Sequence, residues 1–244
     1  MLTIKDLNDT DFIQPRGNEK IFLHKDLAME TPICRYIPVD FLLEMLTSQK
    51  MYVSNRRNLN DKREQGIKED LRDMFIMCPW DRNKKRMTQE LKRRSQLHQD
   101  AYSTCVSCWT ERIDESIMFW HCYGQNTCRI STTIGQLINS IKQLSNTIVI
   151  APILYKDKDR TEIVYDKIFS KHKAYADEQE IRLCVLNNEH HIYLNVNLEI
   201  LINDITINPF FSKSYQQFIK ESIEGRYNFL LGKIKYSHLL EYKS

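Results

Sequence analysis

The first regular pattern in the chain is an apolar strand, an amphipathic helix and a second strand in immediate succession. Residues 33–37 are mostly apolar and β-prone, which predicts the first strand. The apolar residues of 38–48 recur at helical spacing and predict a short helix. Residues 50–54 alternate between polar and apolar side chains and predict the next strand.

Further strands and helices follow without regular alternation. The pattern predicts strands at 103–110, 129–133, 148–155, 175–185, 191–196, 202–207 and 232–236. It predicts helices at 116–123, 133–144, 158–173 and 214–226. Because strands and helices do not alternate one for one, we expect an α+β domain and not a doubly wound parallel sheet.

The same pattern predicts a single domain with one insertion. Residues 1–30 show no sustained period and are interpreted as an N-terminal extension that contains a short strand near residues 20–24. The domain is expected to span 31–244. Residues 64–101 are charge-rich and helical in pattern, and we interpret them as a helical insertion.

Composition is that of an ordinary globular protein. The 244 residues are 42% hydrophobic and 10% aromatic, and the net charge is only +3. Seven cysteines fit reduced thiols better than a disulfide framework, and the N-terminus lacks a secretion-signal pattern, so we expect a cytoplasmic protein that does not enter a membrane. A basic stretch from Lys84 to Arg94 is interpreted as a solvated helix face, with an anionic partner as the alternative.

The stretch 175–185 carries the candidate chemistry. Strand side chains alternate, so Glu178, Glu180 and Arg182 are expected to share one face, on which the two carboxylates repel each other and Arg182 relieves part of the repulsion. On this interpretation the face is exposed and Glu180 contributes little to stability. A charged edge strand without catalytic function is the alternative.

Several motifs, taken in order, resemble a bacterial and phage-associated family, domain-of-unknown-function family 2971, over roughly residues 33–212. The motifs are Arg35-Tyr36, Asn58-Leu59-Asn60-Asp61 with Glu64, Cys108-Trp109-Thr110-Glu111, Phe119-Trp120-His121-Cys122-Tyr123, Tyr175 with Glu178-Gln179-Glu180-Ile181-Arg182, and Ile202-Asn203-Asp204-Ile205. The chain departs from the family pattern in lacking a proline after Asp61 and in having Thr110 where a serine is usual.

The order of elements is in turn similar to the ADP-ribosyltransferase fold, a split and mostly antiparallel sheet with flanking helices. This resemblance implies an NAD-dependent ADP-ribosyltransferase or NAD glycohydrolase of the toxin or phage-defence kind, with NAD as substrate and no metal. Glu180 would stabilise the oxocarbenium-like transition state, and Glu178 would orient the acceptor. The residues implied to contact the cofactor are Arg35, Tyr36, Asn60, Asp61, Thr110, Trp120, Tyr123 and Arg182.

Three other functions are compatible with the sequence. A metal-dependent nuclease could use four carboxylates as magnesium ligands, those of Asp61, Glu64, Glu178 and Glu180. A non-catalytic sensing or binding module could keep the same fold. A zinc site could use Cys105 and Cys108 with the later cysteines and His121, although strand alternation places Cys105 and Cys108 on opposite faces.

Overall fold

A computed structural model describes most of the chain outside the segment predicted as an insertion. The described residues are 2–7, 9–15, 17–59, 92–93, 95–97, 99–101, 103–124, 126–143, 145–157, 164–187 and 189–239. Asn60, Asp61, Glu64 and nearly all of the basic stretch from Lys84 to Arg94 lie outside these ranges.

Thirteen strands and six α-helices are described from end to end, and the described residues among 92–101 are helical as well. The strands are β1 (Phe12–Ile13), β2 (Ile21–His24), β3 (Pro32–Pro38), β4 (Lys50–Asn55), β5 (Cys105–Thr110), β6 (Thr127–Thr133), β7 (Ile148–Pro152), β8 (Leu154–Lys156), β9 (Ser170–His172), β10 (Glu180–Val185), β11 (His191–Asn195), β12 (Asp204–Ile207) and β13 (Ile234–Tyr236). The helices are α1 (Val39–Ser48), α2 (Ile117–Cys122), α3 (Ile134–Ser140), α4 (Val164–Phe169), α5 (Leu198–Leu201) and α6 (Lys213–Arg226). None of the described helices has the length and apolar character needed to cross a bilayer.

Eleven of the strands form one sheet. Its order is β1-β2-β7-β10-β5-β3-β6-β12-β13, with β4 joined to β5 and β11 joined to β4. Most neighbours are antiparallel, while β2 with β7 and β12 with β13 are parallel. The predicted mixture of helices with a large antiparallel sheet is confirmed.

Strand β5 has a divided edge, and this feature positions the candidate site. On one side β5 pairs with β10 over its whole length. On the other side it pairs with β3 only at Cys34↔Thr110, and with β4 only at Ser54↔Val106 and Asn55↔Cys105. Residues 107–109 of β5 therefore face a gap between β3 and β4, which we call the β3/β4 gap.

The sheet has a helix-covered first face and a second face on which the candidate chemistry lies. Apolar residues of α1, α3, α5 and α6 pack on the first face against Trp109 of β5 and Ile181 and Leu183 of β10. On the second face, α4 and the N-terminal residues pack against Val106 and Cys184. Strand alternation then places Glu180 and Arg182, which flank Ile181, on the second face.

The N-terminal residues are part of this sheet. Strand β2 pairs with β7 in parallel, and its Ile21 and Leu23 are buried in the core of the first face. The strand predicted near 20–24 is confirmed. The part of the chain that the structure describes shows no boundary at residue 30 between an N-terminal extension and the domain. Burial of these side chains makes residues 21–24 an integral strand of the domain.

One glycine is required by a close helix-to-chain approach. The Gly135 amide in α3 donates a hydrogen bond of 2.7 Å to the Met29 carbonyl. A methyl group added at Gly135 would lie 2.9 Å from that carbonyl oxygen, closer than a carbon and an oxygen can comfortably approach. The chain before β3 can therefore pack on α3 only because this position has no side chain.

We predict that Gly135→Ala destabilises the domain, whereas Gly225→Ala, in the exposed part of α6, stabilises it. Overpacking at the Met29 contact should lower the free energy of unfolding by about 1–3 kcal/mol. At Gly225 an added methyl group meets no atom within 4 Å, and helix propensity should raise that free energy by about 0.5–1 kcal/mol. Chemical denaturation of both variants measures the difference, and equal effects would contradict the packing argument.

Candidate active site

The backbone changes from a 3-10 helix to a strand between the two candidate carboxylates. Residues 173–178 form a 3-10 helix, and Gln179 ends it in the left-handed conformation with φ 44°. Strand β10 begins only at Glu180. The prediction that Glu178 and Glu180 lie on one strand face is therefore wrong, because the turn at Gln179 breaks the alternation.

Glu180 is buried in an ion-pair cluster. Arg182 donates from Nε to Oε1 at 2.7 Å and from Nη2 to Oε2 at 3.2 Å. Lys171 Nζ lies 2.7 Å from Oε2, and Glu180 is only 4% exposed. The expectation of an exposed carboxylate face is wrong for Glu180, because its two oxygens point into the protein toward these cations.

Arg182 has a structural role. It is fully buried, and its Nη1 donates to the Ile168 carbonyl of α4 at 2.7 Å while the rest of the guanidinium binds Glu180. The prediction that Arg182 holds a carboxylate is confirmed for Glu180. Its expected contact with a cofactor is not compatible with this burial.

The cluster keeps Glu180 ionised. Burial alone would raise the pKa of this carboxyl, but the charges of Arg182 and Lys171 and their hydrogen bonds outweigh burial and hold the pKa well below its usual value. The Glu180 charge in turn raises the pKa of Arg182 against the effect of burial. Both partners therefore stay charged across the physiological pH range.

Lys171 and Tyr155 belong to the site although the sequence motifs do not include them. Lys171 Nζ lies 2.7 Å from Glu178 Oε2 as well as from Glu180, so a single ammonium group joins both carboxylates. The Glu180 amide donates to the Tyr155 hydroxyl at 2.8 Å. The β8–β9 pair positions both residues, and this long-range pairing left no signal in the local pattern.

Thr110 holds the backbone of Glu178, the residue before the turn at Gln179. Its hydroxyl donates to the Glu178 carbonyl at 2.6 Å and accepts from the Arg112 amide at 3.0 Å. Because Thr110 is 4% exposed and both bonds are internal, it positions Glu178 and does not face a ligand. The Glu178 side chain keeps 25% of its surface exposed, so it is the more accessible of the two carboxylates.

The predicted aromatic residues form one cluster with unequal access to solvent. Tyr36 stacks on Tyr123 with ring centres 5.3 Å apart, and Trp120 meets Tyr36 edge-on at 4.7 Å. Trp120 is fully buried and its Nε1 donates to Glu115 Oε2, while Tyr36 is 5% exposed. Tyr123 is 43% exposed, so it is the ring of this trio that a ligand can reach.

Arg35 lies in the β3/β4 gap. Its Nη1 donates to Ser107 Oγ at 2.7 Å, and its guanidinium carbon lies 6.0 Å from the centre of the Trp109 ring. No carboxylate in the described part of the chain lies within 4 Å of this guanidinium. Burial lowers the pKa of Arg35, but a guanidinium keeps its charge in proteins. Among the described residues, the side-chain contacts of this charge are the Ser107 hydroxyl and the Trp109 ring.

Arg35, Glu178 and Glu180 all interact electrostatically with the Tyr123 hydroxyl, so they are its neighbours. Burial of the hydroxyl raises the pKa of Tyr123 strongly. Glu178 raises it further, as do Cys108 and Glu180, whereas Arg35 acts in the opposite direction. The Tyr123 phenol is therefore close enough to the guanidinium and to the two carboxylates to interact with each of them.

A cavity of about 160 Å³ opens beside Arg35, between β3, α1, β4 and β11. Its lining consists of Arg35, Ile37, Pro38, Phe41, Glu44, Met45, Lys50, Met51, Tyr52 and Tyr193. Most of these side chains are apolar or aromatic, while Arg35 and Lys50 supply positive charge. Such a lining suits a ligand that combines a planar ring with an anionic group.

The structure thus brings together Arg35, Tyr36, Tyr123, Glu178 and Glu180 from segments far apart in the sequence. Asn60 and Asp61 lie outside the described residues. For the cysteines, Cys105 packs in the core of the first face and Cys108 against the second, as alternation predicts. Among residues that the structure describes, no three His, Cys, Asp or Glu side chains gather as a metal-binding group.

Neither a protein-family model nor a curated protein matches the sequence. The resemblance to domain-of-unknown-function family 2971 and to the ADP-ribosyltransferase fold stays a prediction.

We predict that Glu180→Gln destabilises the domain by about 3–5 kcal/mol, because it leaves buried Arg182 without its counter-charge. In the unaltered protein, the stability that Glu180 provides is fully present above the usual carboxyl pKa of 4.5 and is lost as the pH falls through its depressed folded value. Below about pH 4.5 the slope of unfolding free energy against pH should therefore be shallower in the variant. Urea unfolding at a series of pH values measures both effects.

Glu30→Gln, at an exposed glutamate, is the matched control and should leave stability within about 0.5 kcal/mol of the unaltered protein. Equal stability of the two variants, with an unchanged acid slope, would contradict the buried ion-pair cluster as a stabilising element.

Proposed function

We propose that the chain binds NAD in the β3/β4 gap and cleaves its nicotinamide–ribose bond, as an ADP-ribosyltransferase or NAD glycohydrolase does. The observation that carries this proposal is Arg35, a guanidinium that is recessed in the gap beside a cavity and has no carboxylate partner among the described residues. A planar guanidinium with free donors favours the paired oxygens of a phosphate. The divided edge of β5 supports a split sheet of the ADP-ribosyltransferase type.

The carboxylates supply the second part of the chemistry. When the nicotinamide–ribose bond breaks, nicotinamide leaves with the bonding electron pair and positive charge develops on the ribose. We assign the contact with the ribose to Glu178, because it is partly exposed, and we assign to Glu180 the task of holding Lys171 and hence Glu178 in place. An acceptor hydroxyl, amine or water then attacks the ribose carbon and loses a proton.

Tyr123 completes the proposed site. Its exposed ring offers a stacking surface near Arg35 and the carboxylates, and its raised pKa keeps the hydroxyl neutral and able to donate a hydrogen bond. The nicotinamide ring would lie against it. The proposal includes an anionic acceptor that binds the basic stretch from Lys84 to Arg94.

A non-catalytic nucleotide-sensing module is the second candidate, and the pairing of the carboxylates favours it. Both Glu180 oxygens and one Glu178 oxygen contact cations of the protein, which reduces the negative charge available to a transition state. The same pairing disfavours a magnesium-dependent nuclease at this position, because Lys171 and Arg182 would repel the metal ion.

We predict that the purified chain releases nicotinamide from NAD and that EDTA does not affect this release. Two variants should separate the effect on KM from the effect on kcat. Arg35→Gln should raise KM about 10- to 100-fold through loss of a charged hydrogen bond to phosphate, with partial recovery in Arg35→Lys. Glu178→Gln should lower kcat on the order of 100-fold and leave KM nearly unchanged. Chromatographic measurement of nicotinamide against NAD concentration gives both constants.

Arg226→Gln, at an exposed arginine at the end of α6, is the control for loss of a positive charge. Binding of NAD without nicotinamide release would favour the sensing module. If NAD neither binds nor reacts, or if Arg35→Gln and Arg226→Gln behave alike, the proposed function is refuted.

A further inference from the structure

Four rings gather at the cavity on the β4 side of the β3/β4 gap. Tyr52 of β4 lies 5.6 Å from Phe41 of α1, 5.5 Å from Tyr193 of β11 and 5.6 Å from His191 of β11, measured between ring centres. Helix α1 and strand β4 are consecutive in the chain, whereas β11 comes from a distant segment. Phe41, Tyr52 and Tyr193 also line the cavity.

These rings are not part of the hydrophobic core. Phe41 is 39% exposed and Tyr193 42% exposed, and neither Tyr52 nor His191 is buried. Tyr52 and Tyr193 are direct partners in the β4–β11 ladder, so packing between strands explains that pair. It does not explain Phe41, which approaches Tyr52 from α1 while the neighbouring Leu42 and Met45 pack in the core.

The polar groups of the cavity are arranged around this aromatic surface. Arg35 lies on its β3 side, and Lys50 lies at the start of β4. The Tyr193 hydroxyl donates to Glu44 Oε1 at 3.1 Å, which fixes the position of a carboxylate acceptor at the rim. Aromatic rings, a guanidinium and a fixed acceptor around one cavity match the three chemical parts of a nucleotide: a base, a phosphate and amino or hydroxyl donors.

We propose that this cavity binds the adenine end of a nucleotide, with the base against Tyr52 and Tyr193 and its phosphate on Arg35. The inference rests on the proposed function in one respect: the nicotinamide end would lie on the other side of Arg35, near Tyr123 and Glu178. Arg35 would then hold the phosphates between two aromatic surfaces. A base that stacks on a tyrosine raises the affinity of its ligand about ten-fold over the same ligand without the base.

Binding of AMP, ribose 5-phosphate and inorganic pyrophosphate to the full chain tests this assignment. AMP should bind about ten-fold or more tightly than ribose 5-phosphate, and Tyr52→Leu or Tyr193→Leu should remove that difference while leaving ribose 5-phosphate unchanged. Arg35→Gln should weaken all three ligands. Isothermal titration calorimetry gives the affinities, and Tyr215→Leu, at an exposed tyrosine of α6, is the matched control.

Two results would overturn the assignment. One is equal affinity of the unaltered chain for AMP and ribose 5-phosphate; the other is undiminished AMP binding in both folded tyrosine variants. Phe41→Ala replaces either tyrosine variant if that variant does not fold, with the same expected loss.

Failure of the adenine subsite and failure of the proposed function give different experimental results. If nicotinamide is released and the KM for NAD is the same in the Tyr52 and Tyr193 variants as in the unaltered chain, the adenine subsite is refuted. The enzymatic proposal is then left intact. Tyrosine-dependent AMP binding without nicotinamide release supports the subsite and refutes the enzymatic proposal.

Discussion

Burial of the Arg182 guanidinium is the constraint on which the candidate site depends. A fully buried positive charge is tolerated only where acceptors surround it, and here Glu180 and the Ile168 carbonyl of α4 supply them. Lys171 extends the cluster from β10 to β9 and to Glu178. One electrostatic cluster thus fixes the start of β10, the position of α4 and the turn that carries the accessible carboxylate.

The divided edge of β5 creates the other half of the site. If β3 had continued along β5 beyond Cys34, a strand would cover residues 107–109 and Arg35 would have no gap to occupy. Instead the guanidinium lies in the gap, close to Tyr123 and beside a cavity lined by the rings of Phe41, Tyr52 and Tyr193. The gap thus holds a positive charge that has aromatic rings near it.

Sequence patterns predicted most local elements and the site only in part. The helix predicted at 158–173 is wrong at its end, because residues 170–172 form β9. The β3, α1 and β4 segment follows the prediction within one residue at each end, because its periodicity is set by neighbours close in sequence. Alternation failed before Gln179, since residues 173–178 form a 3-10 helix that ends at this left-handed residue, and the strand begins only after it. Lys171 and Tyr155 could not be predicted, because they reach Glu180 through the pairing of β8 with β9.

The connection between β4 and β5 has an entropic consequence. The chain leaves the sheet at Asn55 and returns at Cys105, and these two residues are partners in one ladder. Hydrogen bonds from the Asn55 side chain to Ser103 and from the Arg56 amide to Thr104 close the junction. The free-energy cost of closing a flexible segment grows only with the logarithm of its length, so that doubling it costs about 0.6 kcal/mol. Because the pairing of Asn55 with Cys105 already holds the two ends of this connection together, the number of residues between them has little effect on the free-energy cost of forming the sheet that holds Arg35 and Glu180.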